Sequence, residues 1–134
     1  MQIAALARQA ALNALCALAN GGTLRIYSTD SADPDSASNG TLLAEIAFNA
    51  TAFQTATDDG TNASAVANAM TQDSSANASG TAAHWRAFNS SGTMISKGTV
   101  SGTGGGGELQ LNNTSIVSGG IVSIAGLTWR APQG

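Results

Sequence analysis

Leu42-Leu43-Ala44-Glu45-Ile46-Ala47-Phe48 places apolar residues mainly at even positions and its one charge, Glu45, at an odd one. Alternation with a period of two is the pattern of a strand with one face against a core and one toward water. Upstream, Leu24-Arg25-Ile26-Tyr27 repeats it, with Arg25 on the polar side. Between the two runs, Thr29 to Gly40 holds Asp30, Asp33, Pro34, Asp35, Asn39 and Gly40, which are turn-forming residues. Two half-buried strands joined by a long loop are therefore expected.

Before the first strand the period is helical. Ala and Leu dominate residues 1–19. At 100° per residue Gln2, Gln9, Asn13 and Asn20 gather on one narrow stripe, with Ile3, Leu12, Leu15 and Leu18 spread over the opposite side. This predicts an amphipathic helix within residues 1–20, stopped by Asn20-Gly21-Gly22. So narrow a polar stripe predicts apolar contact on most sides, either with a neighbouring subunit or with an open end of the chain's own β domain. Other uses of the segment fit poorly. A secretory signal would place basic residues ahead of Arg8 and would not be broken by Arg8, Gln9 and Asn13; a lipoprotein site at Cys16 would want a small residue where Leu15 stands. The same interruptions disfavour a membrane span.

Downstream, the Ala-, Asn-, Ser- and Thr-rich segment from Asn49 to Gly80 has few large apolar anchors, chiefly Phe53, Val66 and Met70. It reads as two short strands about the turn Asp58-Asp59-Gly60. Thr81 to Phe88 and Thr93 to Val100 read as strands joined by the hairpin loop Asn89-Ser90-Ser91-Gly92. A flexible hairpin loop, Ser101 to Gly107, leads into Leu109-Gln110-Leu111. Apolar runs follow at Ile116-Val117 and from Ile121 to Trp129, where Gly126 marks a bulge. Roughly eight short strands spaced by about ten residues indicate an antiparallel β-sandwich or jelly-roll-like domain over residues 23–131, preceded by the helix of residues 1–20. Ile26, Ile46, Phe48, Trp85, Phe88, Leu111, Ile124 and Trp129 are the expected core.

At 134 residues the chain fits one such domain. Only 10% of its residues are charged, whereas Ser, Thr and Asn fill 39 positions, so solubility rests on neutral polar groups. Such a surface suits a protein packed among neighbours. The net charge of -3 and the dispersion of Arg8, Arg25, Arg86, Lys97 and Arg130 argue against a nucleic-acid partner.

Catalytic and ligand-binding patterns are scarce. His84 is the only histidine and Cys16 the only cysteine, so a nucleophile–base pair would have to use them. Cys16 sits among Leu15, Ala17 and Leu18 as a small buried residue would, and His84 lies on a strand beside Trp85 and Arg86, where a structural or interface role is expected. Glu45, Asp73 and Glu108 could supply a carboxylate pair, but their contexts are those of strand ends. The acidic residues at 58, 59 and 73 lack the spacing of a calcium loop. Gly107 is followed by Glu108 and a strand, not by Lys-Ser/Thr and a helix, which refuses a phosphate-loop reading. No catalytic, cofactor-binding or metal-ligating residue is assigned, and no cofactor or enzymatic activity is expected.

Four stretches carry a family resemblance. Gly22-Thr-Leu-Arg-Ile-Tyr-Ser28, Gly40-Thr-Leu-Leu-Ala-Glu-Ile46, Ala78-Ser-Gly-Thr-Ala-Ala-His-Trp-Arg-Ala-Phe88 with Ser91-Gly-Thr93, and Leu109-Gln-Leu-Asn-Asn-Thr-Ser-Ile-Val-Ser-Gly-Gly120 resemble a family of small structural proteins of tailed bacteriophages and prophages. The likeness covers residues 22–128 and leaves the N-terminal helix mostly outside. It implies a virion component, a capsid decoration or cement protein whose partners are the major capsid protein, other virion proteins and further copies of itself. A head-to-tail connector or tail-associated role is the alternative, followed by a host-surface carbohydrate-binding module using exposed aromatics. The matching motifs are hairpin sequences, so the resemblance supplies no catalytic residue.

Overall fold

The computed structural model describes residues 1–132. A single helix, α1 (Ala5–Leu18), precedes ten strands: β1 (Thr23–Tyr27), β2 (Leu42–Ala47), β3 (Thr57–Asp58), β4 (Asn62–Val66), β5 (Gly80–Thr81), β6 (His84–Phe88), β7 (Met94–Gly102), β8 (Leu109–Leu111), β9 (Ser115–Ile116) and β10 (Ile124–Pro132). Eight of them form one sheet in the order β2-β1-β6-β7-β8-β10-β4-β3, and β5 and β9 form a small second sheet. The mainly β, sandwich-like domain led by one N-terminal helix is the architecture that the alternating pattern predicts.

The long sheet folds over on itself. Phe48 follows β2 and Trp129 lies in β10, five strand positions away, which is about 24 Å in a flat sheet. Their ring centroids are only 6.2 Å apart. Trp85 of β6 likewise stacks on Trp129 at 5.7 Å. The halves β2-β1-β6-β7 and β8-β10-β4-β3 therefore face each other across an aromatic core completed by Phe53, which contacts Trp129 at 4.4 Å. The Trp85 indole lies over β7 at Gly98, where a Cβ would meet it at 2.6 Å, so only glycine fits beneath the ring.

Six of the eight expected core residues are buried: Ile26, Ile46, Phe48, Trp85, Leu111 and Trp129. Ile124 packs against the core from the start of β10 and is half-buried. Phe88 is also half-buried, because its register opposite Thr23 puts it on the outer face, where the Arg25 guanidinium lies over its ring at 4.6 Å.

Two features of the strand reading change. The stretch from Thr81 to Phe88 is divided, with Thr81 ending β5 in the small sheet and His84 beginning β6 in the large one. The expected hairpin loop between β7 and β8 joins parallel strands instead. Val100 to Gly102 pair with Leu109 to Leu111, so the chain must turn back by only about three residues, a reversal the glycine-rich connection makes within its own length. Gly104 takes φ +84°, and Gly107 donates to Ser101 Oγ, which binds the loop onto the end of β7. The turn at residues 58–60, the loop at 89–92 and the irregularity at Gly126 stand where the sequence places them.

Helix α1 packs against β4, β10 and β3. One side of it thus lies on the chain's own β domain, and part of the polar stripe is used there. Arg8, Leu12, Cys16 and Ala19 are buried, while Leu6 and Leu18 are 81% and 54% exposed. The physical reason lies in the irregular segment that follows Phe48. The backbone N–H groups of Ala52 and Ala56 donate to the side-chain oxygens of Asn20 and Asn13, each at 2.8 Å. Arg8 reaches Asp58 in the β3–β4 turn at 2.6 and 2.7 Å. Asn13 and Asn20 of the stripe thus hold down backbone that no strand satisfies.

Candidate functional site

The residues weighed for chemistry are dispersed or occupied. Cys16 is buried on the inner side of α1, and burial pushes its thiol up to about 11, so it stays protonated and unreactive at neutral pH. His84 is half-buried at the start of β6, paired in register with Tyr27 and Thr99. Glu45 and Asp73 do meet, but through the backbone: the Glu45 N–H donates to Asp73 Oδ2 at 3.0 Å, which covers the outer edge of β2. Glu108 stands apart, accepting from the Thr99 backbone and hydroxyl at 2.9 Å. Burial alone would raise its carboxyl, yet those bonds hold it below its ordinary value.

At the β3–β4 turn the carboxylates serve the fold. Asp58 accepts from Arg8 and from the Gly60 N–H, and Asp59 accepts from the Thr61 and Asn62 N–H groups. Hydrogen bonds hold both carboxyls below their usual range. Among the described residues no three His, Cys, Asp or Glu side chains converge on a point where a metal ion could sit. Neither tryptophan presents a stacking face, since Trp85 is 2% exposed and Trp129 4%.

One charged cluster went unseen in the sequence. Arg86 projects from β6 on the face opposite Trp85 and pins the loop between β1 and β2. Its Nε donates to both oxygens of Asp30 at 3.0 and 2.9 Å, and its Nη groups reach Ser31 Oγ and the carbonyls of Asp33 and Ser36. Lys97, the neighbour of Arg86 on β7, pairs with Asp30 at 3.2 Å and donates to the Ser31 carbonyl. Desolvation would raise the Asp30 carboxyl; hydrogen bonds from Arg86, Ser38 and Lys97, with the Arg86 charge, hold it at about 2 instead. The signal that could have found this cluster was the pair of basic residues facing a loop with three aspartates, but nothing in sequence spacing links positions 30, 86 and 97.

Fixed in this way, the loop walls an open groove of about 430 Å³ whose other side is Arg25, Tyr27, Phe88 and Met94. Arg25 is engaged there by Phe88 and by Glu45 at 3.3 Å. Four of the five basic side chains are thus committed to partners within the chain. What the protein presents outward is different in kind. The water-facing side of α1, from Ala4 to Leu18, consists of alanine and leucine alone. Among the described residues no helix is long and apolar enough to cross a membrane.

No family model matches the chain, and no curated protein or solved structure matches it either.

Proposed function

We propose that this protein is a non-catalytic structural component of a tailed-bacteriophage virion, a capsid decoration or cement protein that stabilises the head through protein–protein contacts. The observation that carries the reading is the outward face of α1, which is apolar over its whole length while Arg8, Asn13 and Asn20 are bonded to the domain beneath. Monomeric proteins seldom leave such a contiguous surface open to water, and it marks a place where other protein docks. The internal pairing of Arg8, Arg25, Arg86 and Lys97 adds to this, leaving a surface of hydroxyls, amides and methyl groups with little charge to desolvate at a contact. The family resemblance of residues 22–128 supplies the setting, with the major capsid protein or other virion proteins as partners.

Quantification of the chain in purified particles tests the proposal. Decoration requires many copies, in fixed proportion to the major capsid protein. A few copies, of the order of one ring, would replace it with the head-to-tail connector reading, and absence from particles would sink both.

A further inference from the structure

We propose that Asn39 is a self-modifying site, where the Gly40 backbone nitrogen attacks the side-chain amide and water then converts the residue to aspartate and isoaspartate. The fold holds the chain's other Asn-Gly pair, Asn20-Gly21, against the same reaction.

Asparagine followed by glycine favours this chemistry because a residue without a Cβ lets its nitrogen approach the preceding side chain. The Gly40 nitrogen gives its proton to solvent and bonds to Asn39 Cγ. The bond from Cγ to the amide nitrogen breaks, and ammonia leaves. Water then opens the cyclic imide at either carbonyl. Opening at Cγ restores the ordinary backbone with an aspartate at position 39, whereas opening at the main-chain carbonyl leaves the chain running through the former side chain, as isoaspartate. The sum consumes one water and releases one ammonia, with no oxidant or reductant.

Both asparagines are exposed, so hydrogen bonding and not exposure separates them. After α1, Asn20 Oδ1 accepts from the Ala52 N–H at 2.8 Å and the Gly21 N–H donates to the Asn49 carbonyl at 3.1 Å. The amide under attack and the attacking nitrogen are thus both tied to residues 49–52, and both bonds must open before the two can meet. Asn39 stands in coil at the exit of the loop between β1 and β2, and its side chain makes no hydrogen bond among the described residues. The Gly40 nitrogen is held only by a bond to Ser38 Oγ at 3.2 Å. Glycine is required at this position, since a Cβ there would lie 2.0 Å from the Thr29 carbonyl oxygen. The closure of the loop therefore keeps the reactive pair in the chain. It also makes the product disruptive: isoaspartate adds a carbon to the main chain directly before Gly40, where the backbone is already pressed against Thr29. Either product adds a negative charge to a loop that carries Asp30, Asp33 and Asp35.

The folded full chain, aged in warm, mildly alkaline buffer and mapped by fragmentation mass spectrometry, should gain one mass unit at Asn39 about tenfold faster than at Asn20. In urea the two should convert at similar rates, because the fold is what separates them. Asn39→Gln should abolish the early gain in the folded chain, and aged wild-type chains should exchange amide hydrogens faster within residues 29–40 than fresh ones. Equal conversion of the two asparagines in the folded chain, or an Asn39 that stays intact while the urea-unfolded chain converts, would overturn the assignment. Exchange unchanged in converted chains would overturn the effect on the loop.

Discussion

The loop between β1 and β2 and the helix α1 are both additions to the same folded sheet, and they are attached by opposite chemistry. The loop is held by Asp30, Arg86 and Lys97, a charged cluster whose Asp30 side chain is fully buried. The helix is held mainly by Leu12, Cys16 and Ala19 in the apolar core, with Arg8, Asn13 and Asn20 as polar ties at its margin. Apolar contact is forgiving in direction, so a helix seated by it can turn a second apolar face outward. A charge cluster is directional and fails as a unit, because removing one member leaves the others buried without a partner.

The strongest perturbation should fall on what both attachments share. Trp85 and Arg86 are neighbours on β6, one side chain facing the core and the other the loop. Trp85→Ala should cost about 3 to 5 kcal/mol and lower the urea midpoint for loop and helix together. A midpoint close to wild type would mean that the aromatic stack does not join the two halves.

Separating the attachments comes next. Arg86→Ala should cost on the order of 3 kcal/mol by stranding Asp30, with fast hydrogen exchange and proteolytic cleavage confined to residues 29–40. Protection of α1 should be unchanged, and equal loss in α1 would erase the contrast. Leu12→Ala is the mirror experiment. A cost of about 2 to 3 kcal/mol is expected, toward the lower end for a buried leucine because a helix on a sheet surface can settle into the space, and exchange should rise in α1 and not in the loop.

Acid should distinguish the two more gently. The Asp30 carboxyl is depressed from 3.8 to about 2, so its stabilisation is complete above its unfolded value and is lost as pH falls through that interval. Asp58 is depressed in the same direction by Arg8, but α1 keeps its apolar seat. Exchange measured from pH 5 downward should therefore show the loop loosening before the helix; the reverse order would show that the Arg8–Asp58 pair dominates the helix attachment. The smallest effect belongs to Asn13→Ala, about 1 kcal/mol for the lost bond to the Ala56 N–H, read as a small shift in the thermal midpoint.

The same contrast explains what was legible in the sequence. Strands with one buried face declare themselves by alternation, so β1, β2, β6 and β7 were readable, as were turns whose chemistry is local, at residues 58–60 and 89–92. The parallel pairing of β7 with β8 was not, since alternation is the same whichever way the neighbour runs. The helix was legible but its rotation was not: Arg8 and Asn13 look like solvent-facing residues until Asp58 and the Ala56 N–H are known to lie beneath them. The Arg86 cluster joins residues more than fifty positions apart, and no local pattern records such a meeting. Of the candidate site, the apolar character of the helix could be read directly, whereas which apolar side faces out required the fold.

The position of β10 has a consequence for how the protein is made. It lies between β8 and β4 and contacts α1, so the last described strand completes the β8-β10-β4-β3 half and seats the helix. Translation at roughly 5 to 20 residues per second separates the emergence of α1 and β10 by on the order of ten seconds. Throughout that interval the ribosome carries a helix with both of its apolar sides uncovered and a sheet missing the strand that links β8 to β4. Chaperones that recognise apolar segments have their opportunity then, and a chain cut short before β10 has no route to the native state.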